Sequence, residues 1–138
     1  MPLITDRFNI NTKGFTDIID ITDDVQVIIE KHKPVEAQVT VYVSGSTASI
    51  TTVEYEPGLL KDLPKAFDII APMDKTYHHD ETWHDENGYA HVRASFIGNS
   101  KSFPLKSREL ILGTWQQIIL IDFDNKPRTR CVYVQIIY

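Results

Sequence analysis

Cysteine is almost missing from this chain, and so is any long apolar run. Cys131 is the only cysteine in 138 residues, so no internal disulfide can form and no CxxC pair offers a thiolate metal site, which fits a reducing compartment. Cys131 lies in an apolar alternation and is expected as a small core residue. No stretch approaches the ~20 apolar residues that cross a bilayer, and Met1 to Asn11 lacks the basic-then-apolar signature of a signal peptide. A cytoplasmic location with no membrane partner is the expectation. Basic charge is in deficit as well: 14 Lys and Arg against 19 Asp and Glu leave a net −5. With no basic face in view, no nucleic-acid partner is expected. The short clusters Lys31, His32, Lys33 and Lys126, Arg128, Arg130 read mostly as solvated charges, able to hold at most a small anion. Internal repeats, Gly/Ser linkers, an HExxH pair and a Gly-rich phosphate loop are also missing.

What is present suits one globular domain over residues 1–138. The chain is 42% hydrophobic and 24% charged, enough apolar surface to offset chain entropy and to bury roughly two-thirds of the unfolded surface. Period-two alternation marks a strand over Arg7 to Thr12, and Phe15 to Ile21 reads as a second. Thr22 with Asp23 and Asp24 looks like a helix cap and acidic first turn, leading a helix through Val25, Ile28 and Ile29 that Pro34 stops. Val35 to Val43 and Ala48 to Val53 are β-branched runs around the turn Ser44, Gly45, Ser46, as in a hairpin or two neighbouring strands. Glu56 and Pro57 open a helix through Leu59, Leu60, Leu63, Phe67 and Ile70, with a kink or break expected at Pro64. Pro72 to Glu86 lacks a clear period and is a candidate functional loop. Asp85 or Asn87 then caps a helix ending at Gly98. Ser100 to Leu105, Glu109 to Leu112, Trp115 to Phe123 and Arg130 to Ile137 complete about eight strands with two or three helices. The fold class is therefore α+β, with a strand-rich, largely antiparallel, β-sandwich-like core.

Four of the five histidines, His78, His79, His84 and His91, fall in one short segment with Asp80, Asp85 and Asn87 between them. Imidazoles and carboxylates are natural metal ligands and general acid–base groups, so a site that binds a divalent cation or moves a proton is chemically reasonable. On a helix, positions 87, 91 and 95 share a face, which aligns Asn87, His91 and Ser95. The same residues also suit a solvated connector, with Asp85 and Asn87 as caps and Ser95 bonded back to its own helix. Glu54, at a strand end before Glu56 and Pro57, could point a carboxylate into a cleft. A run of alternating Thr residues nearby is ordinary for a strand, and Trp115 is expected in the core.

Tyr77, His79, Asp80, Trp83, Asp85, Asn87, Gly88, Ala90, His91, Arg93, Ala94, Ser95 and Gly98 together resemble the YjbQ-like family. The likeness continues through Leu110, Leu112, Gly113, Thr114, Trp115 and Gln116 to Asp122, Asp124, Arg128 and Arg130, and reaches back to Glu54, Pro57, Asp62 and Leu63. It implies a compact α+β domain assembled as a homotrimer, and a secondary thiamine phosphate synthase activity. It also implies that His79 and His91, with Asp85, hold a divalent ion, zinc or magnesium, or a phosphate, with Asn87 and Glu54 around them. In a transferase of this kind His91, His79 and Glu54 are the catalytic candidates, and Asn87, Arg93, Ser95 and Gln116 bind a small phosphorylated ligand, Arg93 clamping its oxygens. Many relatives carry a histidine where this chain has Gly45, so the resemblance implies either a depleted site here or one that recruits a neighbour such as His78 or His84. A metal-dependent hydrolase using the same cluster and a non-enzymatic, ligand-binding trimeric domain are the alternatives.

Overall fold

The computed structural model describes residues 1–138. Eight strands and four helices follow one another as β1 (Leu3–Thr12), β2 (Asp17–Asp20), α1 (Thr22–His32), β3 (Ala37–Val43), β4 (Ala48–Glu54), α2 (Pro57–Ile70), α3 (His78–Trp83), α4 (Gly88–Ile97), β5 (Ser100–Lys106), β6 (Glu109–Leu110), β7 (Gln116–Asp122) and β8 (Arg128–Ile137). The strands form two antiparallel sheets, one ordered β1-β8-β3-β5-β6 and the other β2-β7-β4. The α+β, strand-rich expectation is met, with four helices in place of two or three.

The layering follows from where each strand sends its apolar side chains. Val39, Val41 and Val43 on β3 and Val132, Val134 and Ile136 on β8 face inward from the large sheet; Ala48, Ile50, Ile118 and Leu120 meet them from the small one, with α1 closing the end through Val25, Ile28 and Ile29. The intervening residues of β7, Ile119 and Ile121, point the other way and pack with Phe67, Tyr89, Ala90 and Ala94 of α2 and α4. A strand covered on both faces cannot alternate, which is why Ile118 to Ile121 is an unbroken apolar run.

Several local expectations need correction. β3 and β4 do not pair: they lie in different sheets, stacked across the core that both help to fill. The Ser44–Ser46 turn therefore carries the chain from one layer to the next. Thr22 is the first helical residue and not a cap; its hydroxyl donates to Asp20 and accepts from the Ile118 N–H, so it ties α1 to β7. Helix α2 runs without interruption through Pro64, although Glu56 and Pro57 start it as expected, the Glu56 carboxylate accepting from the Gly58 and Leu59 N–H groups. Cys131 sits on the outer face of β8, because the alternation that buries Val132 turns its neighbour away from the core. Trp115 is 71% exposed, since β7 begins only at Gln116. No helix is long and apolar enough to cross a membrane.

Candidate functional site

Two acids stand at the end of β7, Asp122 as its last residue and Asp124 two residues beyond, and both are fully buried. A buried carboxylate is costly unless it is paired and hydrogen-bonded, and here each meets an arginine from β8. Arg130 reaches Asp122 with Nε at 2.7 Å and Nη2 at 2.8 Å, and Thr12 donates to the same carboxylate at 2.6 Å. Arg128 places Nε and Nη2 each 2.9 Å from Asp124 Oδ2. Asp124 also accepts from Thr47 at 3.1 Å, from the Asn87 amide at 3.2 Å and from the Asn125 N–H at 2.8 Å. Burial pushes the Asp124 pKa up, but those hydrogen bonds and the Arg128 charge outweigh it and hold the group below the ordinary carboxylate value. Arg128 and Arg130, read as solvated charges, thus prove to be structural partners of buried acids. Only Lys126 of that trio is without a carboxylate.

Above this floor opens a cleft of about 400 Å³, lined by Gly45, Thr47, His79, Asp85, Asn87, His91, Arg128 and Arg130 among others. The loop expected over Pro72 to Glu86 contains a short helix, α3, that delivers His79. Asp80 holds this helix in place: its carboxylate accepts from the Tyr77 N–H and from the Gly88 N–H that begins α4. Gly88 is required at that junction, because a Cβ there would lie 2.5 Å from Cβ of Tyr77. Asn87 donates to Asp124 and accepts, through Oδ1, from His79 Nε2 at 3.1 Å. It therefore makes no side-chain cap for α4; its amide links cleft floor to rim.

The His79 and His91 rings lie 4.2 Å apart between centroids, tilted by 46°. His79 Nε2 also sits 3.3 Å from Asp85 Oδ1. Burial, and next the neighbouring His79, lower the His91 pKa below its ordinary 6.5, so at neutral pH His91 is an uncharged imidazole able to accept a proton. As a metal cage the group does not fit as it stands: no set of three or more His, Cys, Asp or Glu side chains is placed to hold an ion. His79 Nε2 faces the Asn87 amide oxygen and the Asp85 carboxylate, the environment of a hydrogen-bond donor and not of a bare ligand nitrogen.

Gly45 forms part of the wall. Its φ is +122°, and a Cβ there would come within 2.9 Å of Arg130 Nη1. The absent side chain is what leaves room for that nitrogen beside the cleft. Arg130 Nε and Nη2 are engaged by Asp122 and Thr47, whereas Nη1 has no hydrogen-bond partner yet is not sealed from solvent. Arg128 likewise uses Nε and Nη2 on Asp124.

Of the residues singled out from the sequence, His79, His91, Asp85 and Asn87 come together at the cleft. The other four stand elsewhere. Glu54 is exposed at the far end of β4, seven residues and roughly 23 Å of strand from Thr47. Gln116 accepts from the Gly113 N–H and donates to Thr52, bracing the turn before β7. Ser95 is exposed and donates back to the His91 carbonyl at 2.8 Å. Arg93 is buried against the core: it donates to the Ala71 carbonyl, Thr16 and Asp68, and its guanidinium lies 5.1 Å from the Tyr89 ring centre. The roles of Asp122, Asp124 and Thr47 as the site's foundation were not read from the sequence. The signal was there in the placement of two acids at the end of an apolar strand, opposite two arginines on the last one.

A strand-rich α+β domain with a histidine-lined cleft over buried acid–arginine pairs defines the class, and comparison with known proteins gives the family. The profile of the UPF0047, YjbQ-like proteins matches residues 6–138, and the chain belongs to that family. A UPF0047 protein of Archaeoglobus fulgidus is 38% identical over 129 residues, covering 94% of this chain and 98% of its relative. The UPF0047 protein YugU of Bacillus subtilis is 34% identical over 128 residues, covering 91% and 93%. Among solved structures, a YbjQ-like protein of unknown function from Sulfolobus solfataricus superposes with a TM-score of 0.91 at 30% identity, over 98% of this chain and 96% of that one.

Proposed function

We propose that the cleft binds and acts on a small phosphorylated metabolite, with Arg128 and Arg130 holding phosphate oxygens and His91 accepting or returning a proton. The observation that carries this reading is the pair of guanidinium groups lining the cleft, each fixed by a buried carboxylate through Nε and Nη2, with Nη1 left without a protein partner. Such groups are already oriented before a ligand arrives, so little ordering entropy is lost on binding. Asp122 and Asp124 cancel most of their net charge. Recognition then rests on directed N–H bonds, and affinity for a bare anion is modest.

The thiamine-phosphate-synthase-type transfer implied by the family resemblance is one reaction of this class. In it the thiazole nitrogen forms a bond to the pyrimidine methylene while the C–O bond to diphosphate breaks, and pyrophosphate leaves with the electron pair. The bond changes ask mainly for charge stabilisation on the leaving diphosphate, which is what two preset guanidinium groups supply. The homotrimer belongs to the same proposal and is tested by light scattering; a divalent ion, zinc or magnesium, would have to arrive with the diphosphate, since His79, His91 and Asp85 form no cage of their own, and elemental mass spectrometry with and without pyrophosphate tests that.

The direct test is calorimetric titration of the protein with inorganic pyrophosphate, followed by an assay with the pyrimidine diphosphate and thiazole phosphate pair. Wild-type protein is expected to bind pyrophosphate, and Arg128→Ala, at a partly exposed position, to weaken it by about tenfold or more. No binding, or binding that Arg128→Ala leaves unchanged, would overturn the phosphate reading.

A further inference from the structure

A phosphate fills only part of the cleft. Its volume of about 400 Å³ lies in the range of sites that hold a whole small molecule, roughly 300–1,000 Å³, and the two arginines serve the anionic end alone. Most of what faces the remainder is polar: Ser46, Thr47, Asp85, Asn87 and the two histidines. Trp83 is the only apolar side chain along the wall. We propose that Trp83 selects the organic part of the ligand, a flat aromatic ring joined to the phosphate that Arg128 and Arg130 hold. The inference rests on the phosphate reading and adds a substrate class to it, a phosphate or diphosphate ester carried by an aromatic ring and not by a saturated chain.

Helical spacing puts the indole there. His79 and Trp83 are four residues apart on α3 and share a face. A long side chain on a helix leans back toward the N-terminus, over the residue one turn earlier. His79 marks which face this is, because its Nε2 is bonded to the Asn87 amide oxygen at the cleft. The indole therefore extends an aromatic wall that begins with the His79 and His91 rings, whose centroids are 4.2 Å apart.

The fold itself makes little use of this side chain. Helix α3 buries none of its six residues, and Trp83 is 70% exposed, packed on no other aromatic ring and under no cation of the chain. Trp115 is exposed to the same degree, but it precedes β7, at the opposite end of that strand from Asp122 and away from the cleft. Of the two tryptophans, only Trp83 thus stands beside preset phosphate-binding groups. A ring that stacks on an open indole releases water from both surfaces, and such stacking changes affinity by about five- to a hundredfold. A saturated group of the same size lacks the flat face that stacking needs.

Methyl, benzyl and cyclohexylmethyl phosphate bear the same charged group and differ only in what it is attached to, so calorimetric titration of the full chain with each isolates the ring. Benzyl phosphate is expected to bind about tenfold more tightly than methyl phosphate, with the cyclohexylmethyl ester well short of it. In Trp83→Ala the benzyl-to-methyl ratio should fall below about twofold, and Trp83→Phe should restore part of it. Arg128→Ala should weaken all three esters and leave the ratio in place. Fluorescence reads the contact directly: in Trp115→Phe, Trp83 is the one tryptophan left, and benzyl phosphate should change its emission saturably where methyl phosphate does not. Equal binding of the benzyl and methyl esters, equal binding of the benzyl and cyclohexylmethyl esters, or a ratio that survives Trp83→Ala would overturn this inference while the phosphate reading stands. If none of the esters binds, the inference also falls, and the pyrophosphate titration decides the phosphate reading on its own.

Discussion

The floor of the cleft and its rim are built on opposite terms. Asp122, Asp124, Thr47 and Arg130 are buried and are matched by one another and by Thr12, Asn87, Asn125 and Arg128. His79 and Trp83 stand on a six-residue helix with no buried residue, with Asp85 just past its end, and the segment is anchored mainly through Asp80 and Asn87. The difference teaches that stability and ligand chemistry are separable here. The floor holds the sheets in register whether or not anything binds, whereas the rim is free to change without loss of the fold.

The sharpest way to break that separation is Asp122→Ala. It leaves Arg130 buried without its carboxylate and Thr12 without its acceptor, and should cost about 3–5 kcal/mol in urea unfolding. Gly45→Ala comes next. A side chain at φ +122°, 2.9 Å from Arg130 Nη1, strains the backbone and displaces the guanidinium, at about 1–3 kcal/mol, read as a lowered thermal midpoint together with weaker pyrophosphate binding. His79→Ala at the rim should change stability by less than about 1 kcal/mol but should raise the His91 midpoint in a histidine-ring NMR titration. The rise is partial, because burial, the larger cause of the lowered value, remains. Trp83→Ala, at 70% exposure, should stay within about 0.5 kcal/mol of wild type by differential scanning calorimetry.

Acid pH distinguishes the two regions as well. His91 has a folded pKa below its unfolded value, so protonation favours the unfolded chain and stability declines as pH falls through 6.5. Asp124 is also lowered; its contribution is complete above the unfolded value of 3.8 and is lost only as pH falls below it. Unfolding free energy measured against pH should therefore fall in two stages, and His91→Asn should remove the first.

Strand positions were legible because burial on one face leaves a period of two, as in Val39, Val41 and Val43, and burial on both leaves a run, as in β7. Pairing was not legible. A turn of Ser and Gly between two β-branched segments serves a hairpin and a crossover between sheets equally well, and only the shared core decides. The short helix α3 escaped notice because its six residues are all exposed or half-buried and have no apolar face to mark a period. At the site, His79, His91, Asp85 and Asn87 could be grouped because they are close in sequence. Their supports, Thr47, Asp122, Asp124 and Arg130, come from three segments distant in sequence, and charge alone does not distinguish a solvated arginine from one locked on a buried acid.

Strand β8 is the last element of this chain, yet it lies between β1 and β3 in the large sheet. On a ribosome the earlier strands would emerge with that slot open, and β1 would wait for a partner 116 to 134 residues downstream, Thr12 pairing with Arg128 and Leu3 with Ile137. Arg128 and Arg130 travel on that final strand, so Asp122 and Asp124 must remain hydrated until it arrives. Closure of the sheet and neutralisation of the acids are then one event, and a nascent chain halted before β8 carries no assembled cleft, only the parts of one.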